Sequence, residues 1–399
     1  MTAPTLAHEL TALAALDGPA GGEEAVATAL ATALAPHVDR VRRDALGNVI
    51  AERAPRPAPG AIDGPAPVLW LTAGLDEPTL HVARLDPGGL VRFVPVGGVD
   101  IRAWLGQPVT VHGRRPLPGV IGTRPPHVLD AAQRDATPAV DDLFVDLGLG
   151  DDDARAAVQI GDAITLRRPP VALAAGRTTG KAVGRRAALA ALVAAARALA
   201  AVDPPCALRF VGAVQSGLGL RGGAALGGGA GEVDAPPDAR TGGDAARPIH
   251  AALALATTAA AQRGVEAGPA LGGGPAIGRG PNVHPRLFER FVDAAGAHEI
   301  AHQVEALPAL APSEAAVLQI AGRGVATACL ALPVRYGGTA AEVVAVVDAE
   351  RAARLVAAVA VGFDAAAAAA LRPALGAVAG SAAPAAAGAA VGPDRAGRS

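Results

Sequence analysis

The sequence predicts an α/β protein: a mixed, mostly parallel sheet flanked by helices, with an inserted small β-barrel-like domain. Three features carry this. After Gly180, helical and buried-strand runs alternate, the pattern of a layered α/β structure. Between about Pro78 and Thr179, short β-type runs punctuated by Gly, Pro and Asp replace that alternation. Apolar residues fill 51% of the 399 positions but aromatic residues only 2%, so the core must be assembled from alanine, valine and leucine. The length suits two domains, each able to bury its own core.

In chain order, apolar residues at helical spacing predict helices over Leu6–Leu16 and Glu23–Leu34, separated by Gly21 and Gly22. Val38–Arg43 and Asn48–Glu52 flank a turn at 45–47 and read as a hairpin. The Pro-rich run 54–67 then loops to a buried strand, Val68–Thr72. The insert contains the β-runs LHVARL, LVRFVPV, PVTVHG, GVIG and AITLRR, with one helical piece near Asp151–Ala157. Beyond it, helices are predicted over Arg185–Ala201, Pro285–Ala295 and Ala315–Gly322. Strands are predicted over Leu208–Val214, Ile249–Leu255, Ile300–Ala306 and Val325–Leu332. The domain reading is therefore residues 1–77 plus 178–373 as a discontinuous α/β domain, with 78–177 inserted. Gly222–Ala246 reads as a surface loop and Ala374–Ser399 as a disordered Ala/Gly/Pro tail.

Several function classes are excluded at this level. With 35 basic and 37 acidic residues mixed along the chain, there is no basic stripe to neutralise phosphates, so nucleic acid is not an expected partner. The stretch Leu355–Leu371 is mostly alanine and is interrupted by Asp364; it predicts a packed amphipathic helix and no membrane partner. The opening MTAPTLAHELTAL lacks a secretory pattern, which predicts a cytoplasmic protein. Cys206 and Cys329 sit in apolar segments without metal-ligand spacing and read as buried thiols.

Three motifs resemble chemistry in letters only. Gly217–Gly222 (GLGLRG) follows a strand with dinucleotide-loop spacing, but a glycine-rich loop rather than a helix is expected after it. Gly176–Lys181 (GRTTGK) is one residue short of a phosphate loop and has Ala182 where a hydroxyl is needed. His298–His302 spells H-E-x-x-H, yet the following residues read as a strand, where the two rings would stand about 13 Å apart, too far for one ion.

The segment Arg92–Leu129 (RFVPVGGVDIRAWLGQPVTVHGRRPLPGVIGTRPPHVL) resembles the inserted domain of the tetrahedral, deblocking and glutamyl aminopeptidases, the forty-second metallopeptidase family. Further landmarks follow in the family's order: DALGNVIAE, DDLFVDLGL, VQIGDAITL, GKAVGRRAALAALV, AVQSGLGLRGG, GRGPNVHPRLFE and LPVRYGGTAAEVV. The resemblance covers roughly residues 5 to 370. It implies a zinc-aminopeptidase-like fold, an insert of dimerisation type, hollow oligomers built through that insert, and two divalent metals, zinc or cobalt, with a glutamate as proton carrier.

Position by position, the resemblance also implies that this machinery is missing. The family's ligand positions fall on Gly74, Gly184, Gly217, Ala256 and Gly338, and its catalytic glutamate falls on Ser216. Arg185 replaces an acid beside Gly184, and Asp76 is left without the histidine it would orient. Residues retained around these positions include Asp76, Lys181, Gln215, Arg335 and Tyr336. Glycine and alanine offer a metal no side-chain donor, and a serine hydroxyl cannot replace a carboxylate base.

The sequence thus predicts a catalytically inactive aminopeptidase homologue without metal cofactor, a homo-oligomer that binds a peptide or related aminopeptidase subunits. The alternative is a metal-dependent aminopeptidase with a relocated site, for instance around Asp76, Glu77, His298, His302 and Glu342.

Overall fold

The computed structural model describes residues 4–56, 66–130, 136–228, 249–262, 264, 267–308 and 313–372. The predicted tail and most of the predicted Gly222–Ala246 loop lie outside the described residues. Helix α1 (Leu6–Ala14) is capped by Thr5, whose hydroxyl accepts the His8 N–H at 3.3 Å, and α2 (Glu24–Leu34) follows. Strands β1 (Arg40–Arg43) and β2 (Val49–Arg53) form the predicted hairpin. Its turn is set by Asp44, whose Oδ1 accepts the N–H groups of Leu46, Gly47 and Asn48 at 3.0, 3.0 and 2.9 Å, and by Gly47 at φ +103°.

Strand β3 (Val68–Gly74) leads into a closed six-stranded barrel. It consists of β4 (Thr79–Asp86), β5 (Leu90–Val96), β6 (Pro108–His112), β7 (Pro116–Thr123), β8 (Leu143–Asp146) and, after helix α3 (Asp151–Ala157), β9 (Ala163–Leu166). Its apolar centre is organised around Trp104, which is fully buried among Leu80, Val91, Phe93 and Ile164. The barrel strands end at Leu166. Strand β10 (Val171–Leu173) pairs instead with β11 (Arg177–Gly180), in a three-stranded sheet completed by β17 (Glu342–Ala345).

The body is built on an eight-stranded sheet ordered β1-β2-β12-β3-β13-β16-β14-β15. Here β12 is Ala207–Ala213, β13 Ala251–Ala259, β14 Ala276–Arg279, β15 Gln303–Ala306 and β16 Ala326–Val334. The four central strands, β12, β3, β13 and β16, run parallel, and β2 and β14 flank them antiparallel. Helix α4 (Val183–Ala200) lies against this sheet and is buried on most of its circumference. Its alanines allow close approach of α1 and α8 (Val346–Val361). The remaining helices are α5 (Arg221–Gly228), α6 (Pro285–Ala297), α7 (Ala315–Leu318) and α9 (Ala365–Ala369).

Some expectations are corrected. The helix read over Leu355–Leu371 is two helices, because α8 stops at Gly362 and Asp364 caps a new start by accepting the Ala367 N–H at 2.8 Å. The helix read over Ala315–Gly322 ends at Leu318, and the strand read from Ile249 begins at Ala251. Arg221–Gly228 is helical, contrary to the loop reading of Gly222 onward. Strands β8, β10, β11, β14 and β17 were not anticipated: three or four residues are too short to display a hydrophobic period.

Phe210, fully buried at the middle of β12, packs into the main core. Phe210→Ala should cost about 3–5 kcal/mol in thermal or urea unfolding, and a cost below about 1 kcal/mol would show that the site collapses freely.

Candidate functional site

The sequence-predicted ligand positions meet at one edge of the sheet. Gly74 ends β3, and Ser216 and Gly217 begin a short 3-10 turn after β12. Ala256 lies in β13 one residue beyond Leu255, the register partner of Ala73. Gly338 follows β16, and Gly184 lies in the first turn of α4. This is the carboxyl-end edge of four parallel strands, where α/β sheets place their sites. The sharp exit from β12 uses Gln215 at φ +52° and Gly219 at φ +79°.

Arg185 and three carboxylates occupy this edge. Asp76 is fully buried; its Oδ1 accepts from Arg185 Nη1 and its Oδ2 from the Gly217 N–H at 2.6 Å. Asp76, read from the sequence as lacking the histidine it would orient, is partnered here by Arg185. Glu342 accepts the Gly184 N–H at 3.0 Å through Oε2 and the Gly338 N–H at 2.9 Å through Oε1, so one carboxylate pins two ligand-equivalent backbones. Ser216 Oγ donates to Oε1 of the buried Glu314. Burial raises the carboxyls of Glu342 and Glu314 above their ordinary values, against the lowering effect of these hydrogen bonds.

The small residues are matched to this arrangement. A Cβ on Gly74 would stand 2.7 Å from Ser216 Oγ, and one on Gly184 would stand 2.7 Å from Val334 Cγ2. A Cβ on Gly217 would lie 3.0 Å from Asp76 Oδ2 and 3.4 Å from Arg185 Nη2. The site opens on a cavity of about 1020 Å³, and an inner pocket of about 200 Å³ lies behind Ser216, between Gly74, Ala256 and Glu314.

These residues do not fit a pair of divalent ions. The five positions read from the sequence as ligand positions supply no side-chain donor atom, and the nearby carboxylates are engaged by Arg185, by backbone amides or by Ser216. A guanidinium among them repels a second cation. Among the described residues, no three His, Cys, Asp or Glu side chains are grouped so as to hold a metal.

The other predicted residues are placed as follows. Gln215 donates its N–H to Glu23 Oε1 at 2.8 Å, an anchor that sequence reading missed. Tyr336, exposed and at φ +57°, lines the large cavity. Lys181 turns away to a buried network with Asp17 and with Glu77, the latter at 3.1 Å, and Arg335 donates to Ala261 O at 3.4 Å.

His298 caps the end of α6 and Glu299 sits at φ +50°, so the H-E-x-x-H letters straddle a helix terminus. His302 turns its Nδ1 to Ile300 O at 3.1 Å. His298 lines a separate cavity beside α6 and α8 in which His302 takes no part. In the GLGLRG segment the Arg221 and Gly222 N–H groups are bonded to Gln215 O and Val214 O, leaving no phosphate cradle despite the helix that follows. GRTTGK is largely strand β11. Burial raises the thiols of Cys206 and Cys329 to about 12. No described helix is long and apolar enough to cross a membrane.

A mixed sheet with its site at the carboxyl ends of parallel strands, split by a closed barrel, is the architecture of an aminopeptidase body with an inserted domain. The M42 glutamyl aminopeptidase profile matches residues 58–232 and 240–355, and the chain belongs to this family. A lysyl aminopeptidase of Pyrococcus furiosus is 30% identical over 328 residues, covering 80% of this chain and 86% of that protein. An aminopeptidase structure from the archaeon Desulfurococcus kamchatkensis superposes with a TM-score of 0.79 at 25% identity, covering 93% of this chain and 98% of that one. The TET1 peptidase of Pyrococcus horikoshii, described as assembling into a tetrahedron or a large octahedral shell, shares the fold with a TM-score of 0.73 at 23% identity, over 89% and 99% of the two chains.

Arg185→Ala leaves Asp76 buried and uncompensated. It should cost roughly 2–3 kcal/mol, less than a fully buried pair because Arg185 is partly exposed. The double variant with Asp76→Asn should recover part of that loss in urea unfolding, whereas additive losses would deny the coupling.

For Glu314 the sign is set by its raised pKa. The folded chain holds this proton more tightly, so the contribution to stability is complete below the ordinary value of 4.5 and is lost as pH rises through the raised one. Glu314→Gln removes that loss, so its Tm should gain on wild type as pH climbs above 4.5. Parallel Tm curves would contradict this.

Proposed function

We propose that this member of the M42 family has lost two-metal peptide hydrolysis and acts as a binding or oligomeric scaffold protein. One observation carries the reading: Arg185, paired with Asp76, stands among ligand-equivalent positions that are all glycine or alanine. Replacing carboxylates and imidazoles with a fixed cation and bare backbone removes both the attacking hydroxide and the oxyanion stabilisation on which the family's reaction depends. Loss of one member of such a unit already removes most of its rate enhancement.

The fold around the site is kept. The cavity of about 1020 Å³ is large enough for a short peptide, with Tyr336 at its wall and apolar surface from Val317 and Val334. A homo-oligomer formed through the barrel is supported by its exposed apolar side chains Val94, Val120 and Ile160, and by the assembly described for the TET1 peptidase.

Protein exposed to zinc or cobalt and then desalted should carry no stoichiometric metal and release nothing from an aminoacyl-anilide panel. Two ions per chain with turnover would overturn the reading. Sedimentation at micromolar concentration should give a species larger than a monomer; a monomer would remove the scaffold part of the proposal.

A further inference from the structure

Serine at position 216 introduces a hydroxyl where the resemblance places a carboxylate, and its surroundings are those of a nucleophile. Ser216 lies on the wall shared by the large cavity and the inner pocket. Its Oγ donates to Oε1 of Glu314, which is 2% exposed and lines the inner pocket, so the carboxylate stands behind the hydroxyl. Arg185 borders both spaces, and among the described residues only its Nη1 is engaged, by Asp76. Gly74 supplies the room, since a Cβ there would meet Ser216 Oγ at 2.7 Å. The pairing of a glycine at 74 with a serine at 216 is thus a steric fit as well as a loss of ligands.

We propose that Ser216 is an acyl-accepting nucleophile, with Glu314 as its base and Arg185 as the cation facing the carbonyl oxygen, giving the site a metal-free reactivity toward esters of small acyl groups. Nucleophile, hydrogen-bonded base and oxyanion donor are the parts such a step requires.

Glu314 takes the hydroxyl proton as Oγ bonds to the acyl carbon, and the negative charge that develops on the carbonyl oxygen faces the Arg185 guanidinium. Collapse breaks the bond to the alcohol, which leaves with the proton from Glu314. Water activated by the same carboxylate then cleaves the acyl-serine, so one ester and one water become one acid and one alcohol. The acyl class is small because the inner pocket holds only about 200 Å³, walled by Ala188, Leu255 and Ala256.

This inference rests on the proposed loss of two-metal chemistry, which keeps Arg185 in place, and goes beyond it: bound metal with anilide turnover would end that reading, whereas a metal-free, folded chain that leaves Ser216 unlabelled would end this one alone. The full chain is treated with a fluorophosphonate probe in the presence of EDTA, followed by intact mass and peptide mapping, and with p-nitrophenyl acetate in parallel. The expected result is a single adduct on Ser216 and release of p-nitrophenol. Both should be lost in Ser216→Ala, and adduct formation should slow at least about 100-fold in Glu314→Gln, the scale of a general base. Far-ultraviolet circular dichroism establishes that both variants are folded. No adduct on Ser216 in the folded wild type, or equal labelling rates in wild type and Glu314→Gln, overturns the proposal.

Discussion

The ion pair between Arg185 and Asp76 is the constraint around which the site is arranged. Asp76 is fully buried and also holds the turn after β12 through the Gly217 N–H. A lone carboxylate there would be too costly to keep ionised, and a cation on the first turn of α4 meets that cost. The same guanidinium borders the cavity and stands near Ser216, Glu314 and Glu342. Stability, shape and electrostatics at this edge of the sheet therefore all pass through one side chain.

The glycines complete the arrangement. Each ligand-equivalent glycine is closely approached by its neighbours, and Glu342 uses two of their N–H groups as hydrogen-bond donors. Reinstating a ligand by a single substitution would drive a side chain into Ser216, Val334 or Asp76. Trp104 of the barrel joins in through its indole N–H, which donates to Gly338 O at 3.2 Å, so the inserted domain is tied to the loop that carries the last ligand-equivalent position.

Much of this was legible in the sequence. The alternation after Gly180 and the β texture of the insert anticipate the α/β body and the barrel, and Ser216 and Gly217 of AVQSGLGLRGG lie just beyond the strand predicted over Leu208–Val214. Legibility failed where the determining contact is distant in the chain. Glu314 reaches Ser216 across 98 positions, and Glu342 reaches Gly184 across 158. A cation at 185 was visible, but its partner could be identified only once β3 and α4 were packed together. Glycine-rich helix α5 was missed because intrinsic propensity argues against it; Ala224 completes a turn to Leu220 O, and Gly223 and Gly227 fit closely against α7 and the turn after it.

We propose that Arg185, seated on Asp76, excludes a metal pair from this edge of the sheet. Anomalous diffraction at the zinc edge from crystals soaked in zinc addresses it directly. No anomalous peak is expected between Gly74, Gly184, Gly217 and Gly338, with Arg185 seated on Asp76. Two peaks a few ångströms apart at that point, with Arg185 displaced, would contradict it.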